Sequence, residues 1–314
     1  MNITSALLVA RPISASGAPH FTRGPVARTL GALALGLVLG LGHTATAQSI
    51  LGSTAGYGAM AGGTVTINGA GSTITGNLGA IGAIAGPGSN YTVTSGAVVT
   101  TSAQNQTDFT KAFNGLAAMT PTRVLTGLIL GTTATATTLT PGIYKFDSTA
   151  QLTGMLTLDA QGASNAVWVF QIGSTFTTAA GSSVVFTNLA ANSVANNGVF
   201  WQVGTATVFG STTALKGNVL GGTTYSFGTG ATISEGRALT GSGTMTLDGS
   251  NSINFVAANS GYSGGLVFDG NNIVASAIPE PATTTLLVAG FFGLIVGARK
   301  LRQRQAAQKL AASA

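Results

Sequence analysis

The chain has 314 residues, with 13 Lys+Arg, 7 Asp+Glu, 2 His and no Cys, and Gly and Thr number 46 each. Without cysteine there is no disulfide framework, thiolate zinc site, Cys nucleophile or iron–sulfur cluster. The 45% hydrophobic content argues against charge-driven disorder, and so much Gly and Thr argues against a mainly helical chain.

The net charge of +6 would suggest a nucleic-acid partner if it belonged to the folded body, and its placement says otherwise. Residues 1–47 carry Arg11, Arg23 and Arg28, an apolar run over 31–41, and Ala45-Thr46-Ala47 before Gln48. A basic start, a short apolar stretch and an A-x-A site predict a secretory signal peptide over 1–47 and an exported product. Five more basic residues lie at the far end, from Arg299 to Lys309. Between 48 and 281 five basic residues face seven acidic ones, a net −2, which offers no basic excess for phosphates.

From residue 48 to 255 the chain alternates Thr with apolar residues in short runs: Thr64-Val-Thr-Ile67, Thr73-Ile-Thr75, Tyr91-Thr-Val-Thr94, Ser174-Thr-Phe-Thr177, Thr205-Ala-Thr-Val208 and Thr244-Met-Thr-Leu247. Period two and β-branched residues predict strands, and the glycines between them predict tight corners. One segment differs: Phe109, Ala112, Phe113, Leu116 and Ala117 give a helical stripe over 102–118, with Thr101 or Ser102 to cap it and Pro121 just beyond.

From Val169 the strands read as successive coils. Val169–Ile172, Ser174–Thr177 and Ser183–Phe186 form three sides of one, and Val199–Val203, Thr205–Val208 and 216–220 form the next. Tyr225–Phe227, Thr232–Ser234, 237–239 and 244–247 follow. Stacked coils would bury one continuous core, with a β-sandwich as the competing fold. Residues 256–278, rich in Asn, Gly and Ser, read as a linker.

The order of segments resembles the ice-binding-protein-like family. The resemblance rests on residues 51–58, 74–79, the helix 102–118, 139–146, 152–160, 165–172, 200–203 and 236–248, and covers about 49–255. It implies a mainly β fold: a right-handed, discontinuous β-solenoid of triangular section with one α-helix alongside, one of whose flat faces binds an ice crystal surface.

Strand rungs about 4.8 Å apart would present stiff Thr side chains as a regular grid. The expected face comprises Thr73, Thr75, Thr92, Thr94, Thr175, Thr177, Thr205, Thr207, Thr232 and Ser234. With His20 and His43 confined to the leader and the carboxylates scattered, no catalytic, metal or cofactor site is expected. Lone acids such as Asp147, Asp159 and Asp248 should bind turn amides.

The tail, 279–314, starts with Pro279-Glu280-Pro281, continues uncharged over 282–298, and ends in a cluster with Arg299, Lys300 and Arg302. Seventeen residues of helix reach about 25 Å, the short end of a membrane span, with the basic cluster inside. This three-part order resembles the PEP-CTERM sorting signal, which implies an exosortase as processing partner. It also raises a second function, a surface protein that contacts exopolysaccharide and uses the solenoid as scaffold.

Overall fold

The alternating runs become strands of two to six residues, and each turn of the chain lays one strand on each of three parallel sheets. The computed structural model describes residues 49–191, 197–255, 264–276 and, near the C-terminus, 299–300, 302–305 and 308. The proposed leader, Pro279-Glu280-Pro281 and the apolar run 282–298 lie outside the described residues. Among those described, no helix is long and apolar enough to cross a membrane.

Sheet A runs in the order Val98–Thr100, Asn77–Ala80, Tyr57–Ala61, Ala238–Thr240, Asn218–Gly221, Gly198–Val203, Val167–Ile172, Gly142–Phe146, Arg123–Val124. Sheet B follows as Ile84–Ala85, Val65–Ile67, Met245–Leu247, Tyr225–Phe227, Thr207–Phe209, Phe176–Thr178, Ala150–Leu152, Ile129–Leu130. Sheet C comprises Tyr91–Thr94, Ser72–Thr75, Ser252–Asn254, Thr232–Ser234, Ala214–Lys216, Ser183–Thr187, Met155–Asp159, Thr138–Leu139. The result is the triangular, discontinuous solenoid: coils from residues 57–100 stack against those of 238–254, at the opposite end from residues 123–139.

The coil phase expected from sequence slips after Val203. The third side of that turn is Ala214–Lys216, and Asn218–Gly221 already starts the next turn on sheet A. Gly217, with φ of 96°, makes the corner that splits the run 216–220 in two.

A column of rings fills the interior. Phe170 stacks on Trp201 at 3.9 Å between centroids, Trp201 on Phe176 at 4.9 Å, and Phe209 lies 4.7 Å from Phe227. Their polar atoms are bonded: Trp201 Nε1 donates to the Lys216 carbonyl, Trp168 Nε1 to that of Leu139, and the Tyr225 hydroxyl to those of Val219 and Leu239. At the corners neighbouring turns touch backbone to backbone, and a Cβ at Gly243 would fall on the Thr223 carbonyl oxygen.

Sheet A is buried on both sides, hence its unbroken apolar runs such as Val199-Phe-Trp. Its outer layer, Met60, Val169, Phe200, Leu220 and Leu239, packs under helix α1 (Ala103–Ala118) through Phe109, Ala112 and Leu116. Ser102 caps the helix in a capping box with Asn105, whose side chain also accepts from the Tyr57 hydroxyl. At the other end Gln171 Nε2, rising from sheet A, donates at 2.7 Å to both the Leu116 and Met119 carbonyls. The helix thus carries the chain along the solenoid from its first coils to Arg123.

The segment read as a linker is partly folded. Leu266–Asp269 and Asn272–Ala275 form an antiparallel hairpin whose Leu266, Ile273 and Phe268 pack with the helix cluster. Gly115 admits it, since a Cβ there would meet Ile273 Cδ1 at 2.7 Å, and Lys111 Nζ lies 4.2 Å from the Phe268 ring centre. The sequence carries a hairpin signal: two short β-prone apolar runs, 266–268 and 273–275, flank Asp269 and Asn272 around a two-residue Gly270-Asn271 turn.

Arg237 locks the seam between early and late coils. It is buried, donates from Nε to the Ala55 carbonyl and from Nη1 to Asn218 Oδ1, each at 2.9 Å, and covers the Phe255 ring at 4.1 Å. Burial holds its pKa down at about 10, still charged at neutral pH. Replacing Arg237 with Ala strands two acceptors, and denaturant titration should show a loss of about 2–5 kcal/mol.

Asp108 performs a similar task at the helix start. Partial burial works against its charge, but hydrogen bonds from Ser53 and Gln104 and the nearby Lys111 prevail and hold the carboxyl below the usual range. A folded pKa below the unfolded one stabilises above the unfolded value, near pH 4, and that contribution is lost as pH falls through the folded value. The unfolding midpoint should therefore drop more steeply below about pH 4 in the parent chain than in Asp108→Asn.

Candidate functional site

The three faces differ in what they offer to solvent. Sheet A is covered by α1 and the hairpin. Sheet C mixes hydroxyls with bulk and charge: Met155 is 56% exposed, Lys216 pairs with Glu235 at 3.4 Å, and Asn254 stands beside Ser234.

Sheet B is nearly uniform, and among the described residues nothing covers it. Its three-residue strands bury the first and third side chains and turn the middle one out. Inward pairs such as Val65 and Ile67, Met245 and Leu247, or Tyr225 and Phe227 impose that phase. Strict register then aligns the outward residues as Ala85, Thr66, Thr246, Ser226, Val208, Thr177, Gln151 and Ile129.

A second column stands two residues earlier. Amides of Met245, Tyr225, Thr207, Phe176 and Ala150 donate to the carbonyls of Thr64, Thr244, Thr224, Ala206 and Thr175, extending the ladder to these residues. The columns together form a grid of about 4.8 by 6.6 Å without a charged side chain. Thr and Ser occupy most of it, Val208 and Ala206 make one apolar rung, and larger Gln151 and Ile129 bound it at the Arg123 end.

The residues expected from sequence do not share one face. Thr177 and Thr175 stand on sheet B, and exposed Thr205 is at its corner with sheet A, its Oγ1 3.2 Å from that of Thr175. Thr73, Thr75, Thr92, Thr94, Thr232 and Ser234 lie on sheet C, where Thr75 and Thr94 hydroxyls meet at 3.2 Å and the Ser234 hydroxyl accepts from Lys216 Nζ.

Thr207 is corrected outright. It points into the core with no exposed surface, because burying Phe209, two residues on, turns Val208 outward instead. Conversely Thr64, Thr66, Thr224, Ser226, Thr244 and Thr246, outside the expected set, stand on sheet B. The alternation of 64–67 and 244–247 was visible, but their adjacency arises only from the discontinuous stacking.

The carboxylates serve local structure. Asp159 Oδ1 accepts from the Gln161 amide and Asn188 Nδ2, and these bonds hold its pKa low. Asp147 is lowered by Lys145 at 2.8 Å and by Thr126, and Asp248 accepts from Asn68. Among the described residues no three His, Cys, Asp or Glu side chains are grouped to hold a metal ion.

A family profile described as Ice-binding-like matches residues 46–254. An ice-binding protein of Nostoc sp. (strain HG1) is 43% identical over 207 residues, 65% of this chain and 73% of its own length. The solved structure of an ice-binding protein from an Antarctic biological consortium superposes with a TM-score of 0.57 at 36% identity, over 66% of this chain and 90% of that one. One from the Antarctic ascomycete Antarctomyces psychrotrophicus gives a TM-score of 0.57 at 32% identity, over 66% and 98%.

Geometry separates face residues from core ones. Val at Thr66, Thr177 or Thr246 keeps the shape and should leave unfolding free energy within about 0.5 kcal/mol of the parent. Tyr at Thr207 overfills a closed core and should cost on the order of 1–3 kcal/mol or more in the same denaturation measurement.

Proposed function

The chain belongs to the ice-binding-like family, and from that premise we propose that it adsorbs to ice through sheet B and limits ice growth or recrystallisation. The observation that carries this reading is the pair of registered, charge-free columns on the one uncovered sheet without ionised groups.

An ice surface offers a fixed lattice of water rather than a single group to grip. A rigid grid holds ordered water against it through many weak contacts at once. Each Thr contributes a methyl that favours cage-like water and a hydroxyl that anchors it, and its χ1 is already restricted, so little entropy is lost on adsorption. The stacked rings beneath keep the grid flat. Ionised groups, which bind water in orientations of their own, are confined to other faces and to corners such as Asp248.

Export fits a protein that meets ice outside the cell. The leader over 1–47 and the tail over 279–314, with Pro279-Glu280-Pro281 before an apolar run and Arg299, Lys300 and Arg302, support secretion and sorting by an exosortase-type enzyme to the cell surface or beyond. Exopolysaccharide is the less favoured partner: among the described residues no large aromatic side chain is exposed to stack on sugars, the exposed large apolar ones being aliphatic or Met.

Ice-recrystallisation inhibition tests the assignment. Thr177→Tyr with Thr246→Tyr should abolish inhibition with melting unchanged, because two rings break the flatness of the grid. Thr92→Tyr with Thr232→Tyr, on sheet C, should retain it. Loss in the second variant with retention in the first would move the site to sheet C, and no inhibition by the folded parent chain would overturn ice binding.

A further inference from the structure

The two ends of the solenoid are finished differently. At the end built by residues 123–139 the inward side chains are sealed, with Leu125 and Leu130 fully buried and Leu139 at 1% exposure. The chain there folds over itself: a short 3-10 turn, Ala134–Ala136, crosses the end, Gly131 N donates to the Ala136 carbonyl, Ile129 N to Thr133 Oγ1, and the Arg123 guanidinium to the Thr135 carbonyl.

At the other end, built by residues 77–100, the 3-10 turn Gly88–Asn90 is held at a corner by Asn90 Nδ2 on the Ile67 and Asn68 carbonyls, and among the described residues no segment covers the inward side chains. Val98 continues the inward column below Leu78, yet Val98 is 50% exposed where Leu78 is fully buried. Ile84, Tyr91 and Val93 continue the inward columns of Val65, Ser72 and Ile74 and are only partly buried, and Ile81 at the rim is 51% exposed. Val98–Thr100, Ile84–Ala85 and Tyr91–Thr94 are the outermost strands of sheets A, B and C, all at this end. Such edges are ordinarily guarded by charge, and residues 77–100 contain no Asp, Glu, Lys, Arg or His.

We propose that this end is an interface between two copies of the chain, joined end to end. Three features select a second copy as the occupant. The surface is a triangle of three strand edges around an open apolar layer, and another such end matches that outline. Absence of charge lets the surface meet itself across a two-fold axis without like-charge repulsion, which an isologous contact would otherwise double. The coil 77–100 also has the size of one side of a standard interface, about 20–30 residues. Because the opposite end is sealed, association stops at the dimer instead of running on into a fibre. The proposal is independent of ice binding.

The absence of cysteine makes the test direct. The full chain in detergent, with Ile81→Cys and mild oxidation, should give a disulfide-linked dimer on a non-reducing gel, and Thr135→Cys at the sealed end should not. Sedimentation equilibrium of the parent chain at micromolar concentrations should give a dimer mass. Val98→Lys, which places two ammonium groups across the axis, should weaken association more than about tenfold with melting unchanged. A monomer at all concentrations, equal cross-linking at both ends, or a dimer untouched by Val98→Lys would each overturn the proposal, the last by assigning association to the apolar tail.

Discussion

The parallel pairing of Tyr57–Ala61, Val65–Ile67 and Ser72–Thr75 with Ala238–Thr240, Met245–Leu247 and Ser252–Asn254 is the contact from which the other surfaces follow. Each coil encloses a core one layer deep and cannot bury that layer alone. The seam unites two stacks of coils into one column of buried side chains. The same pairing brings Thr64 and Thr66 alongside Thr244 and Thr246, so a contact needed for the core also lengthens the outer grid. Arg237 fits this position. Its guanidinium reaches the early chain at Ala55 and the late chain at Asn218, 182 and 19 residues away in sequence.

Burial decides what each face can show. Sheet B strands spend two of three side chains on the core, leaving one outward residue per strand at a fixed height. On sheet C the proportion is reversed, as in Thr232-Ile233-Ser234 or Ala214-Leu215-Lys216, so more side chains of more kinds emerge. Sheet A carries apolar residues on both sides and must be covered, by α1 and then by the hairpin. A triangular coil with one face covered and one varied thus has a single face on which a repeating chemistry persists over many rungs. The scarcity of charge in the body belongs to the same arrangement. Several of its ions are tied to each other or to turn amides, as Asp159 is to Gln161 and Lys216 to Glu235, and others to carbonyls or side-chain amides, as Arg237 and Asp248 are.

Much of this is legible in the sequence. The helix was marked by its stripe at Phe109, Ala112 and Leu116 and by Ser102, and the three-sided turn over 169–186 appeared where expected. What escaped was phase and pairing. Thr205-Ala-Thr-Val208 reads equally well with either residue set outward. Phe209, lying one position past the run, decides the matter, because its burial outweighs that of a Thr methyl. The split of 216–220 hangs on the left-handed conformation of Gly217, which a string of similar glycines conceals. Adjacency across the seam joins residues some 180 positions apart and has no local signature. The resemblance to a known family conveyed the discontinuity, but not which Thr faces which sheet.

The direction in which the chain is laid down explains why the two ends differ. After Thr100 the chain leaves the first coils through α1, whose capping box at Ser102 and Asn105 starts it away from the end just built. All later solenoid strands are added between that end's inner side and the far end, and the hairpin 266–275 packs on the helix cluster, so no subsequent segment of the described body passes over residues 77–100. The far end is where α1 delivers the chain, and the first thing the chain does there is fold residues 123–139 over the core before winding back. A discontinuous solenoid is therefore polar in its finish as well as its topology. One end is closed by the turn that begins the main stack, and the other, completed first, is left without a cover by the described chain that follows it.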